Sequence, residues 1–360
     1  MQATKQLSSA GQSIWLDNIT RDLLLTGTLL QYIRDLSVTG LTSNPTIFDR
    51  ALRQGTSYDS SLRARPGISH EERFFELALE DITRAADLFR PIHERTAGVD
   101  GWVSLEVSPL LASDAKSTFG EAKDLHARAD RPNLFIKIPG TADGLEAIEE
   151  SIFAGIPINV TLLFSAKQYR AAADAWLRGV ERRIEAGLNP NIASVASLFV
   201  SRWDVAVAGK VLPSLENKLG IAVAHDCYKA YAQLLASARW RRAQNAGARP
   251  QRLLFASTGT KDPKTSDVLY VQSLIAPLSV NTMPEGTLKA FAAHGEVGEE
   301  LRPDGGNSAE TLDNFTRSGV DLEALSTRLQ EEGAAAFVAS WKDLLDVIAS
   351  KSAAGRKEPA

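Results

Sequence analysis

Short apolar runs of the β type recur along the chain, and most of them are followed by amphipathic helical stretches. We read as strands SIWLD (13–17), GLTSN (40–44), WVSLEV (102–107), NLFIKIP (133–139), PINVTLLF (157–164), IASVASLFV (192–200), RLLFAST (252–258) and SVNTMP (279–284). The stretches 71–96 and 165–186 are the clearest helices between them, and Ser165 suits the N-cap of the second. Strands alternating with helices in this way predict an α/β fold, specifically a (β/α)8 TIM barrel. A doubly wound sheet is the alternative, but no glycine-rich first turn supports it.

The chain beyond the last predicted strand is helical. A turn-rich DGGN sequence at 304–307 precedes two helical stretches, 309–318 and 321–349, and the second is long enough to lie across the barrel. The residues after it are small and charged, which is typical of a disordered tail. We therefore predict one barrel domain with a C-terminal helical extension over residues 1–350, followed by a disordered tail over residues 351–360.

One strand carries a lysine in the middle of its apolar run, NLFIKIPGT. Strand alternation sends Leu134, Ile136 and Ile138 to one face, and Phe135 and Lys137 to the other. Both faces of a central strand are covered, so Lys137 points into an enclosed space. Burial disfavours the charged form of an amine and favours a neutral nucleophile that attacks a carbonyl group. A structural ion pair, or an edge strand whose lysine points to water, is the alternative.

Other inward-facing positions are also polar where the strands end. The alternation puts Ile14 and Leu16 outward in SIWLD, and Ile158, Val160 and Leu162 outward in INVTLLF. Because barrel active sites form at the carboxyl ends of the strands, the inward-facing polar side chains converge there. They are Asp17, Glu106, Lys137, Asn159 and Thr161, together with Asn44, which ends its own strand. A buried ion-pair network is the structural alternative.

Two cations that follow late strands suggest a phosphate ligand. Arg202 follows the sixth strand in LFVSRWD, and Lys261 follows the seventh in STGTKDP. Loops at these positions of a barrel commonly bind phosphate, and arginine offers a forked set of donors. The alternative is that Arg202 pairs with Asp204 and that Lys261 is only solvated.

Composition narrows the class of function. The chain has 360 residues, of which 44% are hydrophobic and 23% charged, and a net charge of -4, which indicates a soluble globular protein. So small a charge gives no reason to expect a nucleic-acid or membrane partner, and no segment resembles a signal peptide or a membrane span. Cys227 is the only cysteine and is expected to pack within a helix. Together with the absence of a signal peptide and a membrane span, the single cysteine indicates a cytoplasmic location. The five histidines are scattered and no P-loop or GxGxxG occurs, so we expect no metal and no nucleotide cofactor.

Eight short motifs carry a resemblance to a known family. In order they are SIWLDN, GLTSNPTIF, VSLEVSP, NLFIKIPGT, INVTLLFS, SVASLFVSRWD, ASTGTKDP and VNTMP. On these motifs the chain resembles the transaldolases, specifically their longer bacterial branch, from about Ser13 to the last strand and more loosely beyond. The resemblance implies a cofactor-free class I transferase of aldehyde or ketone residues. It would move a dihydroxyacetone unit between sugar phosphates in the non-oxidative pentose phosphate pathway.

The resemblance also implies the catalytic roles. Lys137 would form a Schiff base with the carbonyl carbon of sedoheptulose 7-phosphate or fructose 6-phosphate. Glu106, with a water held by Thr161, would exchange the protons of imine formation. Asp17 would take the proton of the hydroxyl next to the breaking carbon–carbon bond and return it to glyceraldehyde 3-phosphate or erythrose 4-phosphate. Proton transfers at two different oxygens call for two carboxylates with different pKa values.

The remaining residues are implied to bind substrate. The hydroxyls of the dihydroxyacetone unit would be held by Asn44, Asn159 and Ser197. The pocket wall and the phosphate site would be formed by Phe199, Arg202, Ser257 and Lys261. Many relatives carry an arginine near the position of Lys261, so this lysine would act there as a point charge.

Two rival functions are open to the same barrel. An aldolase would release free dihydroxyacetone instead of transferring it, but the related fructose-6-phosphate aldolases carry an amide-type residue at the position of Glu106. A non-catalytic sugar-phosphate sensor would have lost Lys137, Glu106 or Asp17, and all three are present. The sequence leaves open the preferred donor and acceptor sugars, and whether the chain is a monomer or a homodimer.

Overall fold

The computed structural model describes residues 2–63 and 67–354. Its parallel strands are β1 Gln12–Asp17, β2 Val38–Thr42, β3 Trp102–Glu106, β4 Leu134–Pro139, β5 Ile158–Leu163, β6 Ser194–Phe199, β7 Arg252–Ala256 and β8 Ser279–Met283. They close into a barrel in chain order, with β8 paired to β1. The predicted (β/α)8 barrel is confirmed, and no strand end lies more than two residues from its predicted position.

Helices connect the strands and cover the outside of the barrel. They are α1 Ala3–Ser9, α2 Arg21–Leu25, α3 Thr28–Asp35, α4 Pro45–Gln54, α5 Asp59–Arg63, α6 His70–Arg95, α7 Ala115–Ala129, α8 Ala142–Ala154, α9 Ala166–Glu185, α10 Ser201–Val207, α11 Leu219–Ala236, α12 Ala238–Asn245, α13 Leu269–Gln272, α14 Glu285–His294, α15 Ser308–Arg317 and α16 Leu322–Ala354. Short 3₁₀ turns lie at Pro109–Leu111 and Pro213–Leu215. None of the helices in residues 2–63 and 67–354 is both long enough and apolar enough to cross a membrane.

The predicted helices agree with these bounds. The stretch 71–96 is α6, and 165–186 is α9, which Ser165 caps by accepting a hydrogen bond from the backbone N–H of Gln168. Helix α16 continues to Ala354, four residues into the segment 351–360 for which a disordered tail is predicted. Residues 355–360 lie outside the described chain, and the prediction of one domain over 1–350 stays a prediction.

The interior of the barrel changes from apolar to polar along its axis. Near the amino ends of the strands it is filled by Trp15, Trp102, Phe135, Val195, Leu254 and Val280. The rings of Trp102 and Phe135 stack with centroids 4.1 Å apart. Gly40 leaves room for this layer, since a Cβ there would lie 2.7 Å from the indole of Trp15. Two residues further along the strands the inward positions are polar, except for Ala256 of β7. The same alternation therefore produces both the apolar layer and the polar groups at the carboxyl end.

The alternation breaks at one of the positions predicted to face outward. Leu162 adopts a left-handed backbone conformation (φ +60°), and the pairing of β5 with β6 shifts register between Val160 and Leu163. A left-handed backbone is rare for a branched residue and is held by its surroundings. Here Gln330 of α16 donates a hydrogen bond of 2.9 Å to the carbonyl oxygen of Leu162. The prediction that β5 alternates regularly through Leu162 is therefore wrong.

Helix α16 lies across the carboxyl end of the barrel, as its predicted length suggests. Besides Leu162, Gln330 also donates to the carbonyl oxygen of Gly140, after β4, at 3.1 Å. Further along the helix, Ser340 hydrogen-bonds Thr46 of α4 at 2.8 Å. Trp341 is buried edge-on against Phe74 of α6, with centroids 4.9 Å apart. The helix is thus fastened to the ends of β4 and β5 at one point and to α4 and α6 at another.

The single cysteine lies inside the helical layer. Cys227 belongs to α11 and is fully buried, and burial raises the pKa of its thiol well above the ordinary range. Buried structural thiols are inert, and the prediction that Cys227 packs within a helix is confirmed.

A buried ion pair joins α2 to α6. The guanidinium of Arg21 donates to Asp81 at 2.9 Å, and the hydroxyl of Tyr58 donates to the other oxygen of Asp81 at 2.8 Å. The same Tyr58 hydroxyl accepts the backbone N–H of Arg21 at 2.9 Å. Burial raises the pKa of Asp81, and Arg21 opposes that shift.

We expect Tyr58→Phe to lower the free energy of unfolding by about 1–3 kcal/mol, because it leaves a buried carboxylate oxygen and a buried N–H without a partner. Tyr169→Phe is the matched control, since the Tyr169 hydroxyl is buried and has no hydrogen-bond partner within the described residues. Urea unfolding of both variants measures the difference. An equal loss in the two variants would contradict the contribution of the Tyr58 hydroxyl.

Candidate active site

A cavity of about 380 Å³ opens at the carboxyl end of the barrel. Nine of the eleven residues predicted for the site line it, namely Asp17, Asn44, Lys137, Thr161, Ser197, Phe199, Arg202, Ser257 and Lys261. The other two, Glu106 and Asn159, lie directly behind this wall and are buried. The barrel also has a larger cavity, of about 460 Å³, at its amino end, but none of the predicted residues lines it. The structure therefore brings the predicted set together at one end of the barrel.

Lys137 stands in the middle of the buried polar layer. In the strand register it lies between Glu106 on β3 and Asn159 on β5. Its Nζ donates to the carbonyl oxygen of Ser43 at 2.9 Å and lies 3.4 Å from Oε2 of Glu106. The side chain is 6% exposed and borders the cavity. An amine at this place is shielded from bulk water and still reaches a molecule bound in the cavity.

Glu106 is the buried partner of that amine. Burial raises the pKa of its carboxyl, an effect that Lys137 opposes and the charge of Asp17 reinforces. Its second oxygen, Oε1, has no hydrogen-bond partner within the described chain, and the same is true of the buried Oγ1 of Thr161. Buried polar atoms normally have partners, so both oxygens are available to a bound molecule.

Asp17 ends β1 on the opposite side of the barrel from Lys137. Thr42 donates a hydrogen bond of 2.8 Å to its carboxylate, and Thr42 in turn hydrogen-bonds Thr282 at 2.8 Å. The side chain of Asp17 reaches the cavity but is closely surrounded by protein, and burial raises its pKa. Thr42, Lys137 and Lys261 oppose this shift. The pKa values of both site carboxyls are thus raised, while the difference expected between them stays a prediction.

Asn44 lies at the site, but it belongs to a different element from the one predicted. Strand β2 ends at Thr42, and Asn44 is the N-cap of α4, where its Oδ1 accepts the backbone N–H of Ile47 at 3.1 Å. Asparagine is a preferred N-cap because it offers this oxygen to the first turn. The prediction that Asn44 ends its own strand is wrong, although the residue does line the cavity.

Asn159 and Ser197 form a short hydrogen-bonded chain across β5 and β6. The hydroxyl of Ser197 donates to Oδ1 of Asn159 at 2.7 Å, and Nδ2 of Asn159 donates to Ser104 at 3.2 Å. This chain fixes the orientation of the Asn159 amide beside Lys137. Of these hydrogen-bonded residues, Ser197 lines the cavity.

The cations lie at the rim of the cavity. The guanidinium of Arg202 lies 5.3 Å from the ring centre of Phe199 and makes no ion pair within the described chain. Burial lowers its pKa, against the attraction of Glu332. The suggested pairing with Asp204 does not occur, since Asp204 instead accepts from the backbone N–H groups of Leu219 and Gly220 and from Tyr270. Because Arg202 has no ion-pair partner within the described chain, its guanidinium is available to an anionic ligand.

The neighbouring loop after β7 contributes two more residues. Lys261 borders the same cavity, and Ser257 hydrogen-bonds Ser201 at 2.9 Å. Ser257 has a left-handed backbone (φ +55°), which is uncommon for serine and is often found at functional sites. Lys261 and Arg202 make this side of the cavity basic, and Arg50 of α4 adds a further cation to the cavity wall.

The structure adds cavity residues that the sequence interpretation missed. They are Thr42, Thr46, Ile47, Arg50, Ala256, Thr282, Pro284 and Phe337. Thr42 could have been found, because strand alternation places it on the same face as Gly40. Phe337 gives no such signal, since it lies on α16, far along the chain, and resembles any apolar position of an amphipathic helix.

Fold and site together define a class: a (β/α)8 barrel enzyme with an enclosed lysine, a buried carboxyl at Glu106 and a partly buried one at Asp17, a set suited to carbonyl chemistry. A model of the transaldolase/fructose-6-phosphate aldolase family matches residues 14–348. The chain belongs to this family, and so to the enzymes that transfer aldehyde or ketone units.

Individual relatives agree over nearly the whole chain. A protein of Thermobifida fusca (strain YX) described as a transaldolase is 46% identical over 361 residues, covering 97% of this chain and 98% of its own. A transaldolase of Parafrankia sp. (strain EAN1pec) is 45% identical over 353 residues, with 95% and 96% covered. One of Acidothermus cellulolyticus is 44% identical over 364 residues, with 98% of each chain covered. These matches confirm the resemblance to the transaldolases.

Proposed function

We propose that this chain is a transaldolase that moves a dihydroxyacetone unit through a Schiff base on Lys137. The donor is sedoheptulose 7-phosphate or fructose 6-phosphate, and the acceptor is glyceraldehyde 3-phosphate or erythrose 4-phosphate, as in the non-oxidative pentose phosphate pathway. The observation that carries the proposal is the enclosed Lys137, with its Nζ 3.4 Å from Glu106 and at the wall of a cavity that has one basic side.

Imine formation requires protons to be exchanged at the carbonyl oxygen. Glu106 is adjacent to Nζ of Lys137, and burial raises the pKa of its carboxyl, which favours the protonated form. A water bound by Oε1 of Glu106 and Oγ1 of Thr161 would satisfy both unpartnered oxygens. We assign this pair the proton transfers of carbinolamine formation and dehydration.

Bond cleavage requires a base for the hydroxyl next to the breaking carbon–carbon bond. Asp17 lies across the cavity from the imine position and is held by Thr42, which fixes the carboxylate that would take this proton. The iminium accepts the electron pair of the broken bond and becomes an enamine. The same Asp17, now protonated, returns its proton to the alkoxide that forms when the enamine carbon attacks the acceptor aldehyde.

The other cavity residues would bind the two ends of the sugar. Asn44, Asn159 and Ser197 would hold the hydroxyls of the dihydroxyacetone unit. Asn44 and Ser197 line the cavity, and Asn159 is paired with Lys137 in the strand register. On the basic side, Arg202 and Lys261 would bind the phosphate, with Ser257 between them in the chain. Charge-assisted bonds to phosphate each contribute about 1.5–3 kcal/mol.

The aldolase is the second candidate, because the family includes both activities. A carboxyl at position 106, rather than the amide-type residue of the aldolases that this chain resembles, favours transfer. The cytoplasmic location, and the choice between monomer and homodimer, stay predictions.

Borohydride trapping tests the proposal. We expect reduction in the presence of fructose 6-phosphate to leave a three-carbon adduct on Lys137, read by peptide mass spectrometry, because the enamine and imine persist until an acceptor arrives. Erythrose 4-phosphate should diminish this adduct by taking up the three-carbon unit. An adduct that is indifferent to the aldose would favour the aldolase, and a folded protein without any adduct would contradict the lysine mechanism.

A further inference from the structure

The face of α16 that meets the barrel carries a regular series of contacts. Gln330 donates hydrogen bonds to the backbone after β4 and within β5, and Ser340 hydrogen-bonds Thr46 of α4. Gly333 lies between these attachments, and a Cβ there would come within 3.0 Å of Leu162 and 3.3 Å of the Arg202 guanidinium. A glycine at this position therefore lets the helix lie close against the cavity.

Phe337 follows Gly333 by one helical turn and reaches the cavity itself. Its ring centre lies 5.8 Å from Nζ of Lys137, and the side chain is 5% exposed. A cation within about 6 Å of an aromatic ring is attracted to its face. The ring thus lies over the nitrogen at which the proposed intermediate forms.

An enamine intermediate has two fates. It can attack an acceptor aldehyde, or it can take a proton on carbon and become the iminium of dihydroxyacetone. Water then adds across the C=N bond, and the amine of Lys137 leaves as free dihydroxyacetone departs. The second fate begins with a proton from solvent at the enamine carbon, and exclusion of bulk water from an active site suppresses such side reactions.

We propose that Phe337 is the residue that keeps bulk water away from the enamine carbon, and so sets how often the three-carbon unit is transferred rather than lost. The inference rests on the proposed Lys137 mechanism. Phe337 acts here as a positioning and shielding residue, because it supplies no group that exchanges a proton or forms a bond. Phe337 belongs to α16, a helix outside the eight βα units, whereas the residues assigned to the chemistry belong to the strands.

The test compares Phe337→Ala and Phe337→Leu with a control on the same helix, Trp341→Phe. Trp341 packs against α6 and does not line the cavity, so its variant loosens α16 without opening a path to Lys137. Each enzyme receives fructose 6-phosphate and erythrose 4-phosphate. The measured quantity is the ratio of dihydroxyacetone released to sedoheptulose 7-phosphate formed, which does not depend on how much of the protein is folded.

We expect Phe337→Ala to raise this ratio at least about tenfold, Phe337→Leu to raise it less, and Trp341→Phe to leave it unchanged. An unchanged ratio in Phe337→Ala, or an equal rise in Trp341→Phe, would overturn the shielding role. Borohydride trapping on the unmodified enzyme separates the two proposals. If Lys137 forms no adduct, both fail, whereas an adduct combined with an unchanged ratio overturns the shielding role alone.

Discussion

Lys137→Met is expected to lower kcat/KM for transfer by on the order of 10⁴-fold or more, because no other group of the site replaces a nucleophile that forms the covalent intermediate. Methionine has an unbranched side chain that occupies nearly the same space, so the loss reports chemistry rather than packing. The measurement is a coupled assay of transfer from fructose 6-phosphate to erythrose 4-phosphate. Thermal unfolding of the variant checks that the barrel is intact.

The matched control for this experiment is Lys261→Met, which removes a second cation from the wall of the same cavity. Since Lys261 is assigned to the phosphate, its variant should show a higher KM and should still give a trapped adduct on Lys137. Lys137→Met should give none. A Lys137→Met enzyme that keeps a substantial fraction of its transfer activity would show that the chemistry runs without an imine at this residue.

Asp17→Asn is expected to lower kcat for transfer by about 10²–10⁴-fold, the usual contribution of a positioned general acid–base group. Asparagine keeps the shape and can still bond Thr42, but it cannot take a proton from the substrate hydroxyl. Imine formation should survive while bond cleavage stalls. Borohydride should therefore trap the intact six-carbon sugar phosphate on Lys137, where the unmodified enzyme gives the three-carbon unit.

The pH profile gives an independent check on Asp17. This carboxyl must be ionised to act as a base, and burial raises its pKa. The activity of the unmodified enzyme should accordingly fall, on the acid side, at a pH above the ordinary pKa range of an aspartate.

In the trapping experiment, a three-carbon adduct that accumulates in Asp17→Asn at the rate of the unmodified enzyme would contradict the assignment of Asp17 as the base.

The barrel and most of the site follow from a single property of the sequence. Alternation with a period of two assigns each strand residue to a face, and a parallel barrel gathers the inward residues of all strands at one end. For this reason Asp17, Lys137 and Thr161 could be assigned to one site from the sequence alone, although they come from strands far apart in the chain. Strand order needed no further information, because successive βα units lie side by side.

The errors arise where local geometry departs from that periodicity. Asn44 lies beyond the end of β2, and the first turn of α4, not the strand, orients its side chain. Leu162 leaves the alternation because its backbone turns left-handed and its carbonyl oxygen is bonded by Gln330 of α16. Neither effect is encoded in the alternation of strand residues.

Phe337 shows a different limit of the sequence. Its helical pattern predicts an apolar face, but the pattern does not say which surface that face covers. Only the packing of α16 over the barrel mouth places the ring beside Lys137. A long-range contact of this kind requires the folded structure.

The position of α16 in the chain also bears on the order in which the molecule is made. Every residue assigned a catalytic or substrate-binding role occurs at or before Lys261, and β8, which closes the barrel, ends at Met283. Phe337 leaves the ribosome only after more than fifty further residues have been added. A growing chain therefore acquires its full set of reactive groups before it acquires the ring that shields them.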